Sequence, residues 1–291
     1  MEIKNESKLP FTKMNGSGND FVVIDNREGI VAEESLRELT RAVCRRGLGI
    51  GADGVILIEH PTSDIPDVDF HWRYINADGS DGELCGNGAM CGARFSVAHG
   101  IAPHSCRFST MSGVISAEVS SDSTDPRVSI ALVDSSELVC DVSITIDGEA
   151  RRFDIMSIGV PHVVTVVDDA DAFADQGAFH SYGRKVRHDA TVGTSGANVN
   201  VIHRIDSRTI RMRTYERGVE AETLACGTGA AASAIAAVAQ GLVEQPVTVI
   251  TSSGRPIVAS FEQDGDRATS IRITGEARFV ATGELHPEGW D

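Results

Sequence analysis

Short apolar runs bounded by turn-forming Gly, Pro, Asn, Asp and Ser recur along the whole chain. Residues 21–24, 55–58, 128–132, 142–146, 163–167, 200–202 and 270–273 each have this strand signature. Two further strand segments, 68–75 and 209–215, each lead through a polar loop into a stretch rich in Gly and Ala. Those stretches, 88–99 and 229–240, read as small-residue helices, with Gly100 and Gly241 standing where helix C-caps belong. After each helix the alternation returns: 107–110 turns at Ser112-Gly113 into 114–119, and 247–250 turns at Ser253-Gly254 into 257–261. One more helix is predicted over 33–45.

The elements occur twice because the sequence does. Cys85-Gly86-Asn87-Gly88-Ala89 returns as Cys226-Gly227-Thr228-Gly229-Ala230, 141 residues on. At the same offset Val97-Ala98 falls on Val238-Ala239, Gly100 on Gly241, and Ser112-Gly113 on Ser253-Gly254. Upstream the offset sets Tyr74 on Tyr215 and Asn76 on Arg217. A register held across successive elements points to duplication of a half-chain unit. The predicted class is α+β: two pseudo-symmetric halves, each a curved, mostly antiparallel β-sheet or barrel around a central helix. The first half spans 9–130 and carries Cys85. The second spans 131–277 and carries Cys226, and the last strand, about 278–291, is expected to rejoin the first half.

Composition narrows the chemistry. With 41% apolar and 23% charged residues the 291-residue chain is of ordinary soluble type. Its longest apolar runs are far short of the roughly 20 residues that span a bilayer. The first residues lack the apolar core of a secretory signal, so a cytoplasmic location is expected. A net charge of −16 argues against nucleic acid and against a membrane as partners. The six cysteines include no CxxC pair, so neither zinc nor a disulfide framework is expected.

A cysteine just ahead of a Gly/Ala helix lies where unpaired backbone N–H groups and the helix dipole stabilise negative charge. That placement lowers a thiol's pKa and attracts carboxylates. A single buried cysteine is more often inert packing, but two in duplicate, each opening a helix, point to a functional pair. If two such helix ends face each other across a cleft, the sulfurs flank one ligand from opposite sides. One thiolate then removes an α-proton and the opposite thiol returns a proton to the other face, while both helix ends stabilise the carboxylate. The rival route to inversion needs a lysine-bound pyridoxal cofactor. Lys4, Lys8, Lys13 and Lys185 are the only lysines, and none sits on a recognisable cofactor motif. No cofactor is expected.

The motifs carry a resemblance. Lys13-Met14-Asn15-Gly16-Ser17-Gly18-Asn19-Asp20-Phe21, Asn76-Ala77-Asp78-Gly79-Ser80, Pro161-His162, Asn198-Val199 and Tyr215-Glu216-Arg217-Gly218 accompany the two CGxG sites in order. With these the chain resembles the diaminopimelate epimerase family from Phe11 to about Gly283. The resemblance implies cofactor-independent interconversion of LL- and meso-diaminopimelate, serving lysine and peptidoglycan precursor synthesis. It implies Cys85 and Cys226 as the acid/base pair and His162 and Glu216 as tuners of their protonation. Gly86, Asn87, Gly227 and Thr228 would hold the α-carboxylate. Asn19, Asn76, Asn198, Glu216 and Arg217 would hold the distal end, where a guanidinium can clamp a carboxylate bidentately. A homodimer is also implied. Three positions depart from the family's usual pattern: Val160 stands where Asn often precedes Pro-His, Met90 replaces an Arg, and Ala281 replaces a tyrosine linked to dimer contact.

Other features have plainer readings. Gly49-Ile50-Gly51-Ala52-Asp53-Gly54 fits GxGxxG but follows a helix and precedes a strand, the reverse of a dinucleotide site; it reads as a helix-ending turn. Cys44, Cys91, Cys106 and Cys140 read as core or surface thiols. Arg184, Lys185, Arg187 and His188 read as a solvated basic loop. Two other functions are carried forward: a racemase of another amino acid such as histidine, and a thiol redox or binding protein without turnover.

Overall fold

A computed structural model describes residues 8–82, 84–169 and 174–290. Lys4 lies outside them. The chain forms two compact units, one from residues 1–130 and 275–291 and the other from 131–274.

The first unit runs β1 (Leu9–Gly16), β2 (Asn19–Asp25), α1 (Glu33–Cys44), β3 (Gly54–Glu59), β4 (Phe70–Asn76), β5 (Asp81–Gly82), α2 (Gly86–Ala98), β6 (Ser105–Thr110), β7 (Gly113–Val119) and β8 (Arg127–Ala131). The second runs β9 (Val139–Ile146), β10 (Glu149–Ile158), β11 (Val160–Val166), α3 (Gln176–Arg187), β12 (Asn198–Arg204), β13 (Thr209–Glu216), β14 (Ala221–Thr223), α4 (Gly227–Ala239), β15 (Val247–Ile250) and β16 (Pro256–Asp264). The strand β17 (Arg267–Leu285) begins in the second unit and ends in the first.

The two pairing schemes are the same. In the first unit β1 is antiparallel to β2, β2 parallel to β3, and β3 antiparallel to β4. Then β4 takes β5 antiparallel and β6 parallel, and β6–β7–β8 continue antiparallel. In the second unit β10, β11, β12, β13, β14, β15 and β16 repeat those relations one for one. β17 pairs with β16 over its first part and with β1 over its second. Each half is therefore a curved, mostly antiparallel sheet wound around one helix, as the repeat predicts.

The enclosed helices are small-residue helices because the sheet leaves little room. α4 buries Ala230, Ala231, Ala232, Ala234, Ala236 and Ala237, on every side of the helix. On α2 a methyl added at Gly92 would lie 2.5 Å from the Trp72 ring, so only glycine fits there. Both helices end alike, with Gly100 and Gly241 at φ +67° and backbone N–H groups returned to Val97 and Val238. The outer helices have one apolar stripe each. α1 sets Leu36, Leu39 and Val43 against Val22, Val55 and Leu57, each fully buried side chain being worth roughly 1.5–3 kcal/mol. α3 sets Phe179, Tyr182 and Val186 against Val163, Val199 and Val201.

α3 corrects the expectation of a basic loop. Arg184, Lys185 and Arg187 occupy its last turn and His188 its C-cap, where cations complement the helix dipole. Its N-cap Asp175 accepts from the Ala178 N–H at 2.7 Å. The GxGxxG stretch is a turn between α1 and β3, as expected.

Candidate active site

Cys85 and Cys226 are the N-cap residues of α2 and α4, with backbone angles of −127°/111° and −128°/113°. The duplication thus extends to the conformation of the two cysteines. Each helix begins its own ladder with the fourth residue, Ala89 N–H to Cys85 O and Ala230 N–H to Cys226 O. The N–H groups of Gly86, Asn87, Gly227 and Thr228 belong to the first turns, outside that ladder. The Cys226 sulfur accepts from the Gly229 N–H at 3.4 Å and lies 3.6 Å from Thr228 Oγ1. Cys226 is buried and Cys85 half-buried. The other cysteines are differently placed: Cys44 and Cys106 are buried and their thiols pushed up to about 12 by desolvation, and Cys91 is raised by the same cause. Cys140 is exposed. Among the described residues no disulfide links the six.

In the first unit the predicted residues Asn19 and Asn87 meet. Asn87 Nδ2 donates to Asn19 Oδ1 at 2.6 Å, and Asn19 Nδ2 donates to Asp53 Oδ2 at 3.2 Å. Asp53 also accepts from the Asp20 N–H and from Arg46. Burial raises the Asp20 carboxyl, but hydrogen bonds and charge from Arg46 and Lys13 outweigh it and hold the group below its usual range. Asn76 ends β4, and its Nδ2 donates to Ser80 Oγ at 3.1 Å. Asp53 lies in the GxGxxG turn, outside the predicted site residues, and its carboxylate fixes the Asn19 amide. The one signal for it in the sequence is an acidic residue after two glycines.

In the second unit His162 and Asn198 stand opposite each other on β11 and β12. Asn198 Oδ1 accepts the Arg217 N–H at 2.8 Å, and Glu216 precedes Arg217 at the end of β13. His162 is completely buried. Desolvation, reinforced by the positive charge of Arg217, pushes its imidazole down to about 3, so it is neutral. Two residues not foreseen complete the cluster. Asn200 Nδ2 lies 3.2 Å from His162 Nδ1 and donates to Val163 O at 3.1 Å, and Asn200 Oδ1 accepts from Thr214 Oγ1 at 2.9 Å.

Strand pairing corrects the upstream register of the repeat. Tyr74 lies opposite Gly82 and Thr214 opposite Thr223, and Gly82 and Thr223 each stand three places before their cysteine. Tyr74 is therefore matched by Thr214, not Tyr215, and Asn76 by Glu216, not Arg217. One extra residue in the second copy causes the slip, and a one-residue slip turns Tyr215 to the opposite sheet face, against Gly183 of α3. Carried across the ladders, Phe21 matches His162, Gly54 matches Asn198 and Ile56 matches Asn200. Phe21 and Ile56 thus stand behind Cys85 where His162 and Asn200 stand behind Cys226.

Solved structures share this fold. A PhzF-family phenazine biosynthesis protein of Bacillus anthracis matches with a TM-score of 0.72 at 13% identity, covering 96% of this chain and 99% of that one. A probable proline racemase of Agrobacterium radiobacter matches with a TM-score of 0.70 at 16% identity, covering 97% and 95%. These matches place the molecule in that structural class by its fold. Within it, the chain belongs to the diaminopimelate epimerase family, whose model matches residues 11–134 and 155–280. It is 40% identical over 287 residues to the diaminopimelate epimerase of Aquifex aeolicus, covering 96% of this chain and 99% of the relative. Identity to that of Archaeoglobus fulgidus is 39% over 287 residues, covering 96% of each.

Proposed function

We propose that this protein is an isomerase that interconverts LL- and meso-diaminopimelate without a cofactor, using Cys85 and Cys226 as its proton-transferring pair. The observation that carries the reading is the duplicate N-cap: two cysteines in the same backbone conformation, each opening a helix whose first-turn N–H groups can bind an anion. One thiolate takes the α-proton, the opposite thiol gives its proton to the other face of the carbanion, and the two sulfurs exchange protonation states. Gly86, Asn87, Gly227 and Thr228 bind the α-carboxylate, where charge builds in the transition state. Asn19, Asn76, Asn198, Glu216 and Arg217 bind the distal amino-acid end, and His162 and Glu216 tune the thiols.

The ion pairs of Lys8 with Glu284, Lys13 with Asp20 and Lys185 with Asp147 support a reading without a lysine Schiff base. Thiols without disulfides suit a reducing cytoplasm, where we place the enzyme, as a homodimer. The deciding experiment follows α-proton exchange in deuterated water with diaminopimelate and, separately, with histidine. Exchange is expected with diaminopimelate. Exchange with histidine alone would overturn the proposed substrate.

A further inference from the structure

The polar shell behind Cys226 has a logic of its own, and three fully buried side chains on β11, β12 and β13 define it. Val163 O can only accept a hydrogen bond, so the Asn200 atom facing it at 3.1 Å is the amide nitrogen. Thr214 Oγ1, 2.9 Å from the other end of the amide, then donates to Asn200 Oδ1. With the amide so fixed, its second N–H points at His162 Nδ1, 3.2 Å away. A donor aimed at Nδ1 requires a lone pair there, and in a neutral imidazole the proton must then sit on Nε2. Nε2 is buried and has no hydrogen-bond partner among the described residues. His162 is the register partner of Asn198 on the adjoining parallel strand, and Asn198 holds the backbone of Arg217. The ring that carries the open donor therefore belongs to the cluster of candidate substrate residues.

We infer that Asn200, oriented by Thr214 and Val163 O, is a positioning residue that locks His162 in the Nε2–H tautomer, so that the site presents an N–H donor there. This rests on the reading of His162 as a member of the active site. The counterpart positions in the first unit make the point by contrast: Phe21 and Ile56 stand where His162 and Asn200 do, while Tyr74, in the place of Thr214, turns its hydroxyl to Asp53 O at 3.2 Å and meets Phe21 edge to face at 5.8 Å. A fold that closes with Phe21 and Ile56 in these places needs neither imidazole nor amide there for stability alone. A buried polar trio adds desolvation costs that an apolar one avoids, and what it supplies is a fixed proton position.

The test is 15N NMR of the histidine-labelled protein without ligand, paired with steady-state kinetics on diaminopimelate. Wild type should show His162 with a protonated Nε2 and an unprotonated Nδ1. Asn200→Asp replaces the donor with an acceptor and should move the proton to Nδ1, with kcat falling by about tenfold or more and KM changing much less. Asn200→Ala should leave the tautomers mixed and kcat intermediate. A wild-type protein with the proton on Nδ1 would overturn the inference, as would wild-type kcat in Asn200→Asp. If wild type fails to turn over diaminopimelate but shows Nε2–H, the proposed substrate falls and the tautomer lock stands.

Discussion

Gly229→Ala tests the packing behind Cys226 with a single methyl group. That methyl would lie 2.6 Å from Asn200 Oδ1 and 3.2 Å from both Cβ and Sγ of Cys226. Neither neighbour is the loose end of a long side chain: Asn200 is held by three hydrogen bonds and Cys226 by its cap. Overpacking of this kind costs about 1–3 kcal/mol, and a disrupted buried hydrogen bond adds about 1 kcal/mol. Alanine's helix preference over glycine returns at most about 1 kcal/mol. The net loss is about 1–3 kcal/mol, a fall in Tm of roughly 2–10 °C for a chain of this size.

Gly88→Ala is the internal control. Its methyl would meet only the side-chain atoms of Trp72, Ile56 and Phe21, at 3.3–3.5 Å. That variant should stay within about 1 kcal/mol of wild type, because the helix preference offsets a slight squeeze. Thermal melts of the two variants side by side, with α-proton exchange measured on each, are the assay. Gly229→Ala matching Gly88→Ala in Tm while exchanging at the wild-type rate would refute the reasoning.

Three further outcomes are expected. Cys85→Ala and Cys226→Ala should each lower epimerisation by about 100-fold or more, and near-normal turnover in either would dismiss the two-base scheme. Because burial holds His162 at about 3, below its ordinary 6.5, the folded state binds fewer protons than the unfolded one between those values. The resulting stability is fully present above about pH 6.5 and is lost as pH falls, by up to ~1.4 kcal/mol per unit. Urea midpoints from pH 7 to 5.5 should fall more steeply in wild type than in His162→Phe, and parallel slopes would count against it. Asp53→Ala should release the Asn19 amide and raise KM for diaminopimelate about tenfold, which substrate titration would detect or exclude.

The repeat made the fold legible because its signals were local: a cysteine, glycines that admit close packing, and a C-cap glycine, all in an unbroken stretch. It misled where one residue was added between strand and cysteine. Tyr74 and Tyr215 are the same letter at the same offset, but sheet faces alternate with every residue, so identity concealed opposite orientations. α3 escaped notice for another reason. Phe179, Tyr182 and Val186 do fall on one helical face, but two glycines and a basic cluster dilute the pattern. The candidate site divides in the same way. Cys85, Cys226 and their helix ends are contiguous in sequence, whereas Asn200, Thr214 and Asp53 act through partners 14 to 38 residues away. Nothing local marks Asn200 or Thr214, and Asp53 has only its place after two glycines.

One strand also sets the order in which the molecule can be completed. β1 receives its second antiparallel neighbour from the far end of β17, and Leu285 and Trp290 complete the cluster under α1. A ribosome therefore finishes every residue of the later unit before supplying the last pieces of the earlier one. The first unit to be started is the last that can close, and a chain released near residue 274 has every residue of the later unit but lacks the stretch that pairs with β1.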